Sequence, residues 1–145
     1  MNNVVVVCDD PRAVEKTATV RNVARAVLRA ARKDHLAVVI FLLTSARMRQ
    51  INRRWHGVDR ATNVLSFCET LDFINPPSAQ KMLGEIYLCP SYIAAHGHDL
   101  SFLVIHGMLH LLGYDHVGRR DSAIMERAER RMCRAIGVAW PYQEQ

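Results

Sequence analysis

Lysine is scarce in this chain: the 19 basic residues are 3 Lys and 16 Arg, against 14 acids, for a net charge of +5. The planar guanidinium fork matches phosphate oxygens better than an ammonium does. A polyanionic partner and an ordinary basic surface are both compatible with that composition. Cysteine is also sparse and scattered. Cys8, Cys68, Cys89 and Cys133 form no C-x-x-C pair, which excludes a cysteine zinc site and a disulfide framework and leaves four small hydrophobes or idle thiols. Long apolar runs are missing too. The longest, residues 36–43, falls far short of the roughly 20 residues a membrane helix needs. The valines of residues 4–7 run straight into Asp9 and Asp10 with no positive flank, unlike a signal peptide, so a cytoplasmic protein with no membrane partner is expected. There is no repeat, low-complexity tract or linker. With 145 residues, half of them apolar, the chain is expected to be a single domain over residues 1–145 with one core.

The periodicities predict strand, helix, strand, helix, two strands, then helices to the end. Residues 4–8 read as the first strand, and Asp10-Pro11 as the cap and first turn of a helix over 11–33. Val20, Val23, Ala24, Val27 and Ala31 share one face of that helix, and Arg21, Arg25, Arg29 and Arg32 the opposite one. A solvated face and an RNA backbone contact both explain such a stripe. The apolar, branched run 36–43 suits a strand buried on both faces. Thr44 can cap a short helix to about residue 54, residues 62–69 and 83–89 read as strands, and 75–78 as an exposed loop. Pro90 ends the last strand and can open a short helix. A helix over 119–136 carries Arg127, Arg130, Arg131 and Arg134 with Glu126 and Glu129 among them, a salt-bridged solvent face, while Met125, Met132 and Ile136 point to the core. Alternating strands and helices followed by a helical end indicate an α/β or α+β layer arrangement.

The chemistry concentrates between His106 and His116. Residues 102–112 are apolar enough for a buried helix, and His106 and His110, four apart, stack on one face with Cβ atoms about 5–6 Å apart. Gly113 permits the left-handed residue that ends a helix, and three residues later His116 can return to the same point. Three neutral imidazoles hold a tetrahedral ion such as zinc and leave one position open, the mark of a catalytic site. A buried histidine is more often a hydrogen-bonded core residue, yet that explanation needs neither the glycine nor the third ring. The spacing H-x-x-x-H-x-x-G-x-x-H is the metzincin protease frame. In those proteases a Glu follows the first histidine as general base, whereas here Gly107 follows it. A mid-helix glycine costs about 1 kcal/mol relative to alanine, so close approach of a substrate or a neighbouring strand is expected there.

These residues resemble the YbeY family of bacterial endoribonucleases. The family signature H-G-x-L-H-L-x-G-Y-D-H is matched from His106 to His116, a second block from Asn52 to Phe67, and a weaker third at Leu83-Gly84-Glu85-Ile86. The resemblance implies an α+β fold with a small mixed four-stranded sheet packed with helices, including a metzincin-like metal helix. It further implies one zinc ion on His106, His110 and His116, and cleavage of single-stranded RNA. The family's partners are ribosomal RNA and the small ribosomal subunit, with roles in maturing the 3′ end of that RNA and in ribosome quality control. The family's functional Arg falls at His56, which makes His56 a catalytic candidate with a different charge.

Around this centre the candidate roles are as follows. Asp115 either orients a ligand histidine or accepts a proton from water. Arg53, Arg54 and Arg60 are candidates for phosphate, and Asn63 and Ser66 for RNA oxygens, although plain sheet positions explain the last two equally well. Trp55 either stacks a base beside the arginines or anchors the core. Two rival functions remain: a small metzincin-like metalloprotease, and a non-enzymatic ribosome assembly factor with a structural metal.

Overall fold

The computed structural model describes residues 1–68, 80–114 and 118–142. Asp115, His116 and the loop expected at 75–78 lie outside the described residues. Four strands form one mixed sheet: β1 (Asn3–Cys8), β2 (Leu36–Leu42), β3 (Val64–Cys68) and β4 (Lys81–Leu88), in the order β1-β2-β4-β3. The first three positions in that order are parallel and β3 pairs antiparallel to β4. The α helices are α1 (Thr17–Ala30), α2 (Ser45–His56), α3 (Pro90–Ala95), α4 (Leu100–Leu111) and α5 (Arg119–Ile136). The mixed four-stranded sheet with helices is as expected. No helix among the described residues is long and apolar enough to cross a membrane.

Register decides what each face of the sheet meets, because cross-strand partners share a face and neighbours along a strand do not. Val4, Val38 and Gly84 align across β1, β2 and β4, as do Val6, Ile40 and Ile86, and Cys8, Leu42 and Leu88. These residues pack with α1, α4 and α5 in the main core. The opposite face carries Val5, Val39 and Glu85, then Val7, Phe41 and Tyr87. There α2 covers only part of the sheet, through a smaller cluster built on Leu43, Met48 and Cys89. Val5 and Val7 remain exposed, so the run at 36–43 is buried fully on one face and only half on the other.

The first helix differs from expectation at both ends. Residues Pro11–Lys16 form a 3-10 turn, closed by the Ala13 N–H to the Asp10 carbonyl at 2.9 Å, before α1 begins. The Asp10 carboxylate is buried and accepts from the Arg12 N–H at 3.0 Å, which holds this tighter turn. At the far end Arg32 is left-handed, with φ 57°, and the Lys33 N–H reaches back to the Leu28 carbonyl. The helix therefore stops before residue 33 and the chain turns into β2. The remaining caps follow the sequence: the Thr44 hydroxyl accepts from the Arg47 N–H, and Pro90 opens α3.

Candidate functional site

Helix α4 begins at Asp99, whose carboxylate caps the Phe102 N–H at 2.7 Å. Phe102, Leu103, Val104, Ile105, Gly107, Met108, Leu109 and Leu111 are all buried, so most of the helix surface is committed to packing. His106 and His110 are half-buried and lie on its one partly open side. Their ring centroids are 5.2 Å apart, with the planes at 74°.

A buried carboxylate from α5 holds the first ring. The His106 Nδ1–H donates to Glu129 Oε2 at 3.1 Å, and Glu129 is only 8% exposed. In a neutral ring, donation from Nδ1 leaves the lone pair on Nε2, the tautomer that a cation requires. Charge on Glu129 is also felt nearby. Burial pushes the Cys133 thiol above its ordinary value, with Glu129 and then Asp99 adding to it. Burial likewise raises the Tyr142 phenol, and Glu129 adds to that shift.

Gly107 packs against the sheet. A Cβ built there would stand 3.1 Å from Ile86 Cδ1, so the close approach is made by the neighbouring strand. The position that carries the base in metzincins is turned onto β4 here. Gly113 follows α4 with φ 105°, and the Tyr114 N–H returns to the Leu109 carbonyl, the turn expected at the end of this helix.

The edge strand β3 runs beside α4. The Cys68 thiol donates to the His110 carbonyl at 3.5 Å. Ser66 is the cross-strand partner of Ile86 and so lies on the α4 side of the sheet. At the start of the strand, Asn63 Oδ1 accepts from the Val64 N–H at 2.7 Å and its amide donates to His98 Nδ1 at 3.2 Å. Thus β3 faces the helix that carries the histidine pair through Ser66 and Cys68, and Asn63 stands just before that strand.

The arginine block is elsewhere. Phe67 pairs with Glu85, which puts its ring on the other face of the sheet, against His56 and Trp55 at centroid distances of 6.0 and 5.9 Å. Arg53, Arg54 and His56 end α2 on that same side, with the Arg54 guanidinium 5.5 Å from the Trp55 ring. Arg53 and Arg54 line a pocket with Arg49, whose guanidinium is paired with Asp59 at 2.8 Å. Arg60 is exposed, and its carbonyl is clamped by the buried Asn52 amide. Trp55 is 62% exposed, which removes the core-anchor reading and leaves it free to stack. His56 and the histidine pair are therefore on opposite faces, separated by the edge strand.

Glu129 was hidden in the sequence as one of two acids in a solvent face. The other, Glu126, does pair with Arg130 at 3.5 Å. A helical wheel separates them: Met125, Glu129 and Cys133 recur at intervals of four along the buried stripe of α5. An acid inside an apolar stripe was the available signal.

Among the described residues no group of three His, Cys, Asp or Glu side chains is placed to hold a metal ion. The donors that are described fit one nonetheless: two imidazoles share a face, and one is oriented by a carboxylate.

The sequence matches the endoribonuclease YbeY family over residues 8–137. It is 41% identical over 116 residues to an endoribonuclease YbeY of Paramagnetospirillum magneticum, covering 73% of this chain and 71% of that one. Against the endoribonuclease YbeY of Chloroflexus aggregans it is 37% identical over 146 residues, covering 92% and 95%. The fold is similar to the solution structure of a Thermotoga maritima protein, with TM-score 0.59 and 21% identity over 94% of this chain and 89% of that one.

Proposed function

Because this chain belongs to the endoribonuclease YbeY family, enzymes that hydrolyse phosphodiester bonds in RNA, we propose that it is a zinc-dependent endoribonuclease specific for single strands. Its biological substrate in this reading is the 3′ end of small-subunit ribosomal RNA in the cytoplasm. The observation that carries the proposal is the pair His106 and His110 on the partly open side of α4, with Glu129 locking the first ring. His116 is proposed as the third ligand.

A bound zinc ion would supply Lewis acidity towards a phosphoryl oxygen and acidify a water molecule. The protein supplies the rest. Glu129 keeps His106 in one tautomer and one orientation, the positioning role first considered for Asp115. Asp115 stays a candidate to orient another ligand or take up a proton. Ser66 and Asn63 line the α4 side of the edge strand, where hydroxyl and amide donors can hold RNA oxygens. Arg53, Arg54 and Arg60, with His56 and Trp55, take flanking RNA that has passed around that edge, which is a different task from stabilising the scissile phosphate. Gly107, packed on Ile86, offers no base for peptide hydrolysis, which weighs against the protease reading.

The test is to present zinc-loaded protein with single-stranded RNA, duplex RNA and a peptide library. Selective cutting of the single strand supports the proposal, and cutting of peptides alone refutes it. Two further results are expected. Glu129→Ala lowers zinc affinity about 10- to 100-fold, measured by competition with a chromophoric chelator, and Glu129→Gln, which keeps an acceptor, loses less. Unchanged affinity in both would remove the positioning role. Arg54→Ala raises KM for single-stranded RNA and reduces its salt dependence by about 0.7 in log–log slope, the share of one phosphate contact. An unaltered slope would take Arg54 off the RNA path.

A further inference from the structure

The surface is also hollowed at the start of α4. A pocket of about 340 Å3 lies there, lined by Asn63, His98, Phe102 and Tyr142 among others. A second, of about 450 Å3, contains His106, Glu129, Trp140 and Tyr142. Tyr142 lines both. The first volume falls within the range of small-ligand pockets, about 300–1,000 Å3.

The chemistry of this pocket divides into a face and an edge. Phe102, Trp140 and Tyr142 form a three-ring cluster, with centroids 5.3–5.6 Å apart and every pair steeply inclined. Trp140 and Phe102 are held down in the core cluster, whereas Tyr142 is 61% exposed. An exposed ring braced edge-on by two packed ones is a rigid stacking surface, and every base has a π-face to lay on it. The edge is supplied by Asn63 and His98. The Asn63 amide donates to His98 Nδ1, which places the proton of a neutral ring on Nε2 as a donor. The amide has a second N–H as well. Both groups are donors, matched to carbonyl oxygens on a base edge.

Position ties the pocket to the reaction. Phe102 lies one helical turn before His106, about 6 Å along the axis, with ring centroids 6.4 Å apart. That is the scale of a single nucleotide step. We propose that this pocket is a nucleobase subsite, in which Tyr142 stacks an unpaired base flanking the scissile bond while Asn63 and His98 read a carbonyl on its edge. The inference rests on the ribonuclease reading and gives a reason for single-strand specificity. A base in a duplex cannot leave its stack without an unpairing cost, whereas a single-stranded base enters directly.

The experiment measures cleavage of short single-stranded oligoribonucleotides in which each position in turn is abasic. With the wild type, one position beside the cut should raise KM about tenfold, in the range of one base–aromatic stack. Tyr142→Ala should raise KM by a similar factor on intact RNA and be nearly indifferent to the same abasic site. Tyr142→Phe, which keeps the ring, should stay within about twofold of wild type. His98→Ala, on an exposed loop, should raise KM for substrates with a carbonyl-bearing base at that position and not for those without one; an equal change for both would overturn the edge reading. The proposal is overturned if no flanking position matters to the wild type, or if the abasic penalty is as large in Tyr142→Ala. The abasic scan needs no variant and stands even if Tyr142→Ala fails to fold. A wild type that cuts no RNA overturns the ribonuclease reading and the subsite together; one that cuts but ignores the abasic sites overturns the subsite alone.

Discussion

His110→Ala is expected to lower cleavage of single-stranded RNA at least about a thousandfold, because charge stabilisation by a bound cation is worth several kcal/mol and each 1.4 kcal/mol is about a factor of ten. The fold should survive. His110 is half-buried near the end of α4, and alanine is the better helix former. Metal content by mass spectrometry should fall together in His106→Ala, His110→Ala and His116→Ala, while thermal unfolding of metal-free His110→Ala stays close to wild type; metal-free His106→Ala should unfold at a lower temperature, because Glu129 is left buried without its imidazole. Activity and metal content must move in step. A His110→Ala protein that keeps one zinc per chain and cleaves at the normal rate would eliminate the metal site proposed here. A contaminating ribonuclease would be exposed by the same comparison, since its activity would persist in all three variants.

Gly84→Ala is expected to have the largest effect on stability, and its cause is steric. Gly84 is buried in β4 with φ 155°. A Cβ there would collide with the Phe67 carbonyl oxygen of β3 and stand 2.7 Å from Leu111 Cδ2 of α4. A leucine methyl can swing aside, but a carbonyl moves only if the strand moves. Destabilisation of about 3 kcal/mol is expected from overpacking and backbone strain together, seen as a fall in Tm of roughly 10 °C. Hydrogen exchange should quicken first in β3. Because β3 lies against α4, with Ser66 on that side and the Cys68 thiol on the His110 carbonyl, the folded fraction should also cleave poorly. Wild-type Tm would mean that the strand and helix do not meet at Gly84. Gly107 is a milder case, since its nearest neighbours are atoms of the Ile86 side chain, which can rotate.

The legible parts of this protein are those governed by local rules. Apolar runs located the first two strands and the 3.6-residue period the first helix, the Thr44 and Asp10 caps followed from side-chain chemistry, and the spacing of His106 and His110 set two rings on one helix face. The miss at the first helix has a local cause too: the buried Asp10 favours a tighter turn that apolar periodicity does not register. Gly107 was recognised as a place of close approach, but its neighbour was not. Identifying Ile86 required knowing which strand lies beneath α4.

Sequence alone determined the element order, the histidine pair and the family, because each is encoded in residues close together along the chain. Only the tertiary structure decided which of these elements share a side. Strand pairing places Ser66 towards α4 and Phe67 away from it, since adjacent residues of a strand point to opposite faces. That alternation, through two neighbouring positions, carries His56 and the α2 arginines away from the histidines. Packing of α5 on α4 brings Glu129 to His106 across 23 positions of sequence, a distance over which no periodicity operates.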